Sequence, residues 1–351
     1  MQALLYAGIK QIHYTTAAPE PQILQPTDAI VRITATAVCG SDLHVYHGRE
    51  VGLDIGTIMG HEFVGEVVET GSAVRHLKTG NMVVSPFTTN CGQCYYCRIG
   101  LTCRCIQGQL YGWVQNGHGL HGAQAQYVRV PLADATLLPF NPAIPAEYAL
   151  LVGDVRSTGY HCAVQANLTP DGVYAAIGCG PVGLMAVLAA KELGANTIFA
   201  LDTQPERLQL AQTFGATPVN ISQQNPIDVI HAVTQGRGAD AILEAVGSPQ
   251  AMRLAYQLLR PGGAISSVGV HTTENFAFSP IEAYDKNVTV KIGRAPARHY
   301  MQQLLAAYHT SPVAATATGI ITHRFPLSEG AEAYRIFDTK ADGCVKAVLA
   351  G

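Results

Sequence analysis

A chain of 351 residues is longer than one compact domain needs, so two domains of about 150 to 200 residues are expected. Hydrophobic residues make up 48% and charged residues 13%, which argues against disorder and for a dense, possibly oligomeric globular protein. A net charge of −3 gives no electrostatic basis for nucleic acid or an anionic membrane surface as partner.

In chain order, "MQALLYAGIK" reads as an immediate first strand, without the apolar core and cleavage site of a signal peptide. No apolar run approaches the roughly 20 residues of a membrane helix, and a cytoplasmic protein is expected. Up to roughly residue 155 the chain shows short β-rich runs broken by glycine and proline, with no βα alternation. That pattern predicts an irregular antiparallel β domain. Nine cysteines, odd in number and tightly clustered, point to metal binding rather than to a disulfide scaffold.

The first chemical constellation is "CGSDLH", Cys39 to His44, followed by "GHEF" from Gly60. Cys39 and His61 are a soft and a borderline donor suited to zinc, on consecutive β-rich segments. A catalytic zinc needs a third protein ligand and an open position. Asp154, in "LLVGDVRSTGYHC", falls at the expected domain junction, and a thiolate with a carboxylate would cancel the 2+ charge. Such a centre still acidifies a bound water or alcohol. Glu62 is a candidate group behind the metal or an exchanging ligand, and a buried structural pairing explains it as well. The Ser41 hydroxyl is a candidate proton acceptor, and His44 a candidate to pass the proton to solvent.

Next comes "CGQCYYCRIGLTCRC", which spaces Cys91, Cys94, Cys97 and Cys105 as C-x2-C-x2-C-x7-C. Four thiolates in a short lobe match a closed, structural zinc site, with Cys103 a competitor for the fourth position.

From Val173 onward, β-rich runs recur every twenty-odd residues: "VYAAIG", "TIFALD", "TPVNI", "DAILEAVG", "AISSVG" and "VTVKIG". Helix-length stretches separate them, which predicts six parallel strands in a doubly wound sheet. Proline starts and glycine stops mark helices beginning at Pro181 and Pro205. "IGCGPVG" supplies G-x-G-x-x-G at Gly178, Gly180 and Gly183, with Pro181 and Val182 inside it, for a pyrophosphate at a helix N-terminus. Asp202 ends the next strand, where a carboxylate accepts hydrogen bonds from adenosine ribose and repels a 2′-phosphate. No arginine or lysine stands among the next four residues, so NAD is expected over NADP. A helix, "ARHYMQQLLAAYH", and a last strand, "CVKAVLA", are expected to return to the first domain. The boundaries expected are 1–157 with 297–351 for the β domain and 158–296 for the dinucleotide unit.

Together these residues resemble the zinc-dependent medium-chain alcohol dehydrogenases. "GHEFVGEVVETGSAV" is similar to that family's zinc signature, and the cysteine lobe, the fingerprint and "CGSDLH" follow in the family's order over essentially the whole chain. The resemblance implies a GroES-like β domain beside a Rossmann domain. It further implies a catalytic zinc on Cys39, His61 and Asp154 with Glu62 nearby, a relay through Ser41 and His44, and a second zinc on the four lobe cysteines. Phe87 matches a position lining the substrate pocket, and Thr158 one packing on the nicotinamide. Asp154 stands where many members carry cysteine, as in a mostly bacterial branch. The loop "LYGWVQNGHGLHGAQAQYV" is similar to that of glutathione-independent formaldehyde dehydrogenases and places Trp113 as a second pocket residue, with His118 and His121 as loop residues.

The function expected is reversible, NAD-linked oxidation of an alcohol to an aldehyde or ketone, in a homo-oligomer, tetramer or dimer. Polyol, amino-alcohol or formaldehyde oxidation by the same zinc and hydride chemistry is the first alternative. Two others are a zinc-free quinone or enoyl reductase, which lacks the ligand sets, and an NAD-binding sensor or scaffold without turnover.

Overall fold

Alternating burial drives the strand Ala29–Ala37, which exposes only Arg32 and Thr34 and turns the rest inward. It is the spine of the first of two units in the computed structural model, which describes residues 1–350. That unit comprises Met1–Ser157, Pro296–Thr310 and the stretch from Ile321. Its seven-stranded sheet runs in the order Ile321–Pro326, Lys346–Ala350, Ala29–Ala37, Phe63–Thr70, Met82–Val84, Leu138–Pro139, and Tyr127–Val130 also pairs with Ala29–Ala37. All pairings are antiparallel except that of Ile321–Pro326 with Lys346–Ala350. One core of this unit gathers Val31, Ile33, Phe63, Val67, Val83, Tyr111 and Val128, and another sets Leu4 and Val38 against the C-terminal helix Gly330–Thr339. The opening segment is a hairpin, Ala3–Gly8 against Gln11–Thr15.

The second unit comprises Thr158–Ala295 and Ser311–Ile320. Its strands are β1 (Val173–Ile177), β2 (Thr197–Asp202), β3 (Thr217–Asn220), β4 (Ala239–Glu244), β5 (Leu259–Ser267) and β6 (Thr289–Ile292). All are parallel, in the order β3-β2-β1-β4-β5-β6, so the six-stranded doubly wound sheet expected from the sequence is present. Ala175, Ile177, Phe199, Leu201, Ile242 and Ile265 make its core. Six of its helices, Pro181–Glu192, Pro205–Thr213, Pro226–Thr234, Pro249–Leu258, Pro280–Lys286 and Pro312–Ala315, begin with proline, whose fixed φ and missing N–H suit the first turn.

The tail departs from expectation at one place. Helix Ala297–Thr310 groups with the first unit, but Ser311–Ile320 groups with the second, where its short turns pack on the helix Pro181–Glu192. The expected domain limit at residue 297 assigned this stretch to the first unit. Among the described residues no helix is long and apolar enough to cross a membrane.

Candidate active site and metal centres

Cys39 follows the end of strand Ala29–Ala37, and His61 precedes strand Phe63–Thr70. These strands pair with Thr36 opposite Phe63, so the thiol and the imidazole are delivered to the same end of the sheet. Asp154 comes from the break between helices Ala146–Gly153 and Val155–Gln165. One ligand atom from each of Cys39, His61, Glu62 and Asp154 lies within 4.8 Å of the others, and all four residues are buried. Asp154 Oδ2 is 3.5 Å from Cys39 Sγ and 3.3 Å from His61 Nε2. Ser41 Oγ is 3.2 Å from the same Nε2. Phe87 sets its ring edge-on to His61 at 6.5 Å between centroids.

The electrostatics describe a site suited to a cation. Burial pushes the Cys39 thiol up to about 11, and the charges of Asp154 and Glu62 add to that. Burial also raises Glu62, to about 7, against the opposing charge of Lys346. Burial works against ionisation of Asp154 too, but hydrogen bonding and charge from His61 outweigh it and hold the carboxyl at about 2. For His61, burial acts to lower the pKa, yet Asp42, Asp154 and Cys39 hold it well above the ordinary range. A thiol, an imidazole nitrogen and two carboxyls sharing one buried space carry more negative charge than they can neutralise when ionised. A divalent ion fits that donor set, and the mixture of sulfur, nitrogen and oxygen suits zinc.

Two residues of this site escaped the sequence reading. Asp42, buried, approaches His61 Nδ1 at 3.2 Å with Oδ1 and accepts the Cys39 N–H at 3.0 Å with Oδ2. A carboxylate on the far nitrogen fixes the tautomer that leaves Nε2 free to bind a metal. Lys346, fully buried in the last strand, donates to Glu62 Oε1 at 2.7 Å and to the Val38 carbonyl at 3.0 Å. Asp42 was visible in the sequence as the acid inside "CGSDLH", and Lys346 as the lone charge in an apolar strand.

The remaining candidates fall as follows. His44 lies in the short helix Asp42–Tyr46, half-buried, with desolvation lowering its pKa and with Nδ1 buried and unpartnered. Trp113 stands in a hairpin, Trp113–Gln115 against His118–Leu120, and packs on the cluster of Tyr6, Val45 and Met59. His118 is exposed, and His121 Nδ1 accepts the Ile58 N–H at 3.1 Å.

In the lobe, Cys91, Cys94, Cys97 and Cys105 gather with their sulfurs within 4.8 Å of one another. Backbone N–H groups point at the sulfurs: Cys91 N to Cys105 Sγ at 3.2 Å and Cys94 N to Cys91 Sγ at 3.3 Å. Such amides stabilise thiolates, and those of Cys97 and Ile106 bring Cys94 down to about 6. Cys103 lies in the turn Thr102–Arg104, outside this group of four.

In the second unit, Gly178 has φ +86°, and a Cβ on Gly183 would stand 1.7 Å from the Gly178 carbonyl oxygen, so both places require glycine. Gly180 caps the helix that Pro181 begins and that includes Val182. Asp202 ends β2 and accepts the Cys179 N–H at 2.7 Å with Oδ2, and those of Thr203 and Gln204 at 2.7 and 2.9 Å with Oδ1. The carboxylate thus braces the fingerprint turn. Arg207, five residues beyond Asp202, comes back over the same turn, with Nη1 3.7 Å from where a Cβ on Gly180 would be. It stands one residue beyond the four uncharged or acidic positions, Thr203 to Glu206, that follow Asp202. Thr158 is buried near the start of helix Val155–Gln165.

A buried cation site beside a proton-bearing hydroxyl in one unit, and a dinucleotide fold in the other, are the equipment of a metal-dependent dehydrogenase. The alcohol dehydrogenase GroES-like domain matches residues 25–140, and the zinc-binding dehydrogenase domain residues 181–310. The chain is 41% identical over 329 residues to zinc-type alcohol dehydrogenase B of Aspergillus flavus, covering 91% of this chain and 75% of that one. It is 32% identical over 341 residues to an L-threonine 3-dehydrogenase of Caldanaerobacter subterraneus, covering 94% of each. Its fold superimposes on alcohol dehydrogenase TADH from Thermus sp. ATN1 with a TM-score of 0.92 at 37% identity, covering 100% of this chain and 99% of that one. The chain belongs to the zinc-dependent medium-chain alcohol dehydrogenase family, and it is a zinc-dependent alcohol oxidoreductase that works with a nicotinamide cofactor.

Proposed function

We propose that the chain oxidises a small alcohol reversibly to an aldehyde or ketone with NAD, using Cys39, His61 and Asp154 to hold the catalytic zinc. The observation that carries this reading is the convergence of Cys39 Sγ, His61 Nε2 and Asp154 Oδ2 in one buried space. When bound, zinc supplies Lewis acidity toward an alcohol oxygen, and the nicotinamide accepts the hydride. The chain's residues do the rest. Asp42 orients His61, and the Lys346 ammonium keeps Glu62 in place behind the ligands. The Ser41 hydroxyl, 3.2 Å from His61 Nε2, would accept the alcohol proton as it gives up its own, and His44 is the candidate to carry that proton outward. Phe87 walls the substrate side against His61, and Trp113 and Thr158 remain candidates for substrate and nicotinamide contact. Cys91, Cys94, Cys97 and Cys105 hold a second, structural zinc, giving two per chain. NAD is favoured over NADP because a carboxylate at the end of β2 suits ribose hydroxyls and would repel a 2′-phosphate. A reducing compartment such as the cytoplasm suits cysteines gathered as metal ligands, four in the lobe and Cys39 beside His61.

The similarity to an L-threonine 3-dehydrogenase favours a second reading, an amino-alcohol or polyol substrate handled by the same machinery. One experiment addresses both. NADH formation is followed at saturating NAD across simple alcohols, polyols and amino alcohols, alongside zinc analysis. About two zinc per chain and turnover on one class are expected. Zinc-replete, NAD-binding protein inactive on every class would support a sensor role instead, and one zinc per chain would remove one of the two sites. Ser41→Ala should retain zinc and lose about 100-fold in turnover, and unchanged turnover would exclude the hydroxyl from the relay.

A further inference from the structure

We propose that Gln124 and Tyr334 are positioning residues for the catalytic metal, acting on His61 and Cys39 through Asp42. The proposal rests on the reading of Cys39, His61 and Asp154 as the zinc ligands. Asp42 serves two ligands at once, with Oδ1 at His61 Nδ1 and Oδ2 on the backbone N–H of Cys39. A carboxylate in that position transmits any rotation of its own to both. What holds it is a neutral amide. Gln124 Nε2 donates to the Ala37 carbonyl at 3.1 Å and stands 3.5 Å from Asp42 Oδ2. Gln124 Oε1 accepts the Tyr334 hydroxyl at 2.9 Å, which fixes the way round that the amide sits.

Gln124 and Tyr334 are both fully buried, so no water competes for these groups and each bond lost leaves a polar atom unpaired. The backbone of Gln124 is also pinned, its N–H donating to Met59 and its carbonyl accepting from Leu4, each at 2.8 Å. Its side chain occupies the space beside Gly60, the residue before His61, where a Cβ would stand 2.4 Å from Gln124 Cγ. Tyr334 belongs to the C-terminal helix Gly330–Thr339, which also meets the Asp42–Tyr46 helix and the His47 that caps it. The Tyr334 ring lies 5.6 Å from that of Tyr46, and Asp338 Oδ1 is 2.7 Å from His47 Nε2. A chain of contacts therefore runs from the C-terminal helix through Tyr334, Gln124 and Asp42 to His61. Partners behind metal ligands tune affinity by holding ligand orientation, and here the orientation is set from the C-terminal helix.

The test uses full-length enzyme carrying Gln124→Met, Tyr334→Phe, Asp42→Asn, and each of the first two combined with Asp42→Asn. Zinc affinity of the catalytic site is read by competition with a chromophoric chelator. The same site loaded with Co2+ gives a visible spectrum that reports ligand geometry, and thermal midpoints report stability. Gln124→Met and Tyr334→Phe should each weaken zinc about 10-fold and alter the Co2+ spectrum. Neither should add to the loss already caused by Asp42→Asn, since residues acting through one partner are not additive. Affinity and spectrum unchanged, with only the thermal midpoint lowered, would overturn the proposal and leave a core polar pair. Full additivity on Asp42→Asn would overturn the route through that carboxylate. Tyr334→Phe keeps the ring and its packing, so it carries the test should Gln124→Met not fold. Wild-type protein holding zinc only in the cysteine lobe would instead overturn the ligand assignment itself, together with the proposal.

Discussion

Lys346 and Glu62 form a fully buried ion pair, and such pairs matter most when one partner is removed. At about pH 8, Lys346→Met should cost about 3 to 5 kcal/mol in the metal-free protein, read as a lowered denaturant midpoint, because Glu62 must then either ionise without a partner or be held protonated. Burial already holds Glu62 above its ordinary range, at about 7, and losing Lys346 raises it further. An acid whose folded pKa lies above its unfolded one loses stability as pH rises between the two values. The loss in Lys346→Met should therefore be greater at about pH 8 than at about pH 5, and Glu62→Gln in the same chain should recover most of it. An equal loss at both pH values would show that the carboxyl is not the cause. Asp202 calls for a different substitution. Glycine there would release the amides of Cys179, Thr203 and Gln204 and loosen the turn for either cofactor. Asp202→Asn keeps an acceptor and removes the charge, so it should raise NADP affinity relative to NAD by about 10-fold, measured by cofactor titration. An unmoved ratio would place the discrimination elsewhere.

At the level of elements, β1 and β4 are tied at their starts by Asp240, which accepts the Val173 N–H at 2.8 Å, Arg260 Nε at 2.6 Å and Arg237 Nη1 at 2.7 Å. Burial acts to raise its pKa, but these donors outweigh it and hold the carboxyl below its ordinary value. A depressed acid stabilises the fold above its unfolded pKa and loses that contribution as pH falls through the folded one. Because the group is partly exposed, Asp240→Asn should cost only about 1 kcal/mol near neutral pH. The gap between variant and wild type, read from denaturant midpoints, should close below about pH 4. Elements were also what the sequence displayed best. Strand and helix periods located all six Rossmann strands, and donor chemistry at short spacing located the lobe cysteines. Contacts that join distant segments left no local trace: 284 residues separate Glu62 from Lys346, and 210 separate Gln124 from Tyr334. Their roles exist only once the sheet has paired Ala29–Ala37 with the last strand on one side and Phe63–Thr70 on the other, and the C-terminal helix has packed on that last strand.

For the molecule as a whole, the second unit poses the question of self-association. Its sheet ends at β6, which pairs with β5 on one side and leaves its other edge open. Unpaired N–H and C=O groups on such an edge are a template for a further strand. Ile292 on β6 is 49% exposed, and Ile281 and Tyr284 in the neighbouring helix Pro280–Lys286 are 74% and 82% exposed, more apolar surface than a solvated edge calls for. A second copy of the same strand would satisfy both needs, through a contact in which each chain used the same surface. Light scattering should therefore give a dimer or a multiple of it, and Ile292→Lys with Tyr284→Glu should reduce the mass to one chain. Zinc content should be retained in that variant, since both cysteine and histidine sites lie in the other unit. A wild-type monomer, or a variant whose mass does not change, would show that this edge stays bare and that any assembly uses another face.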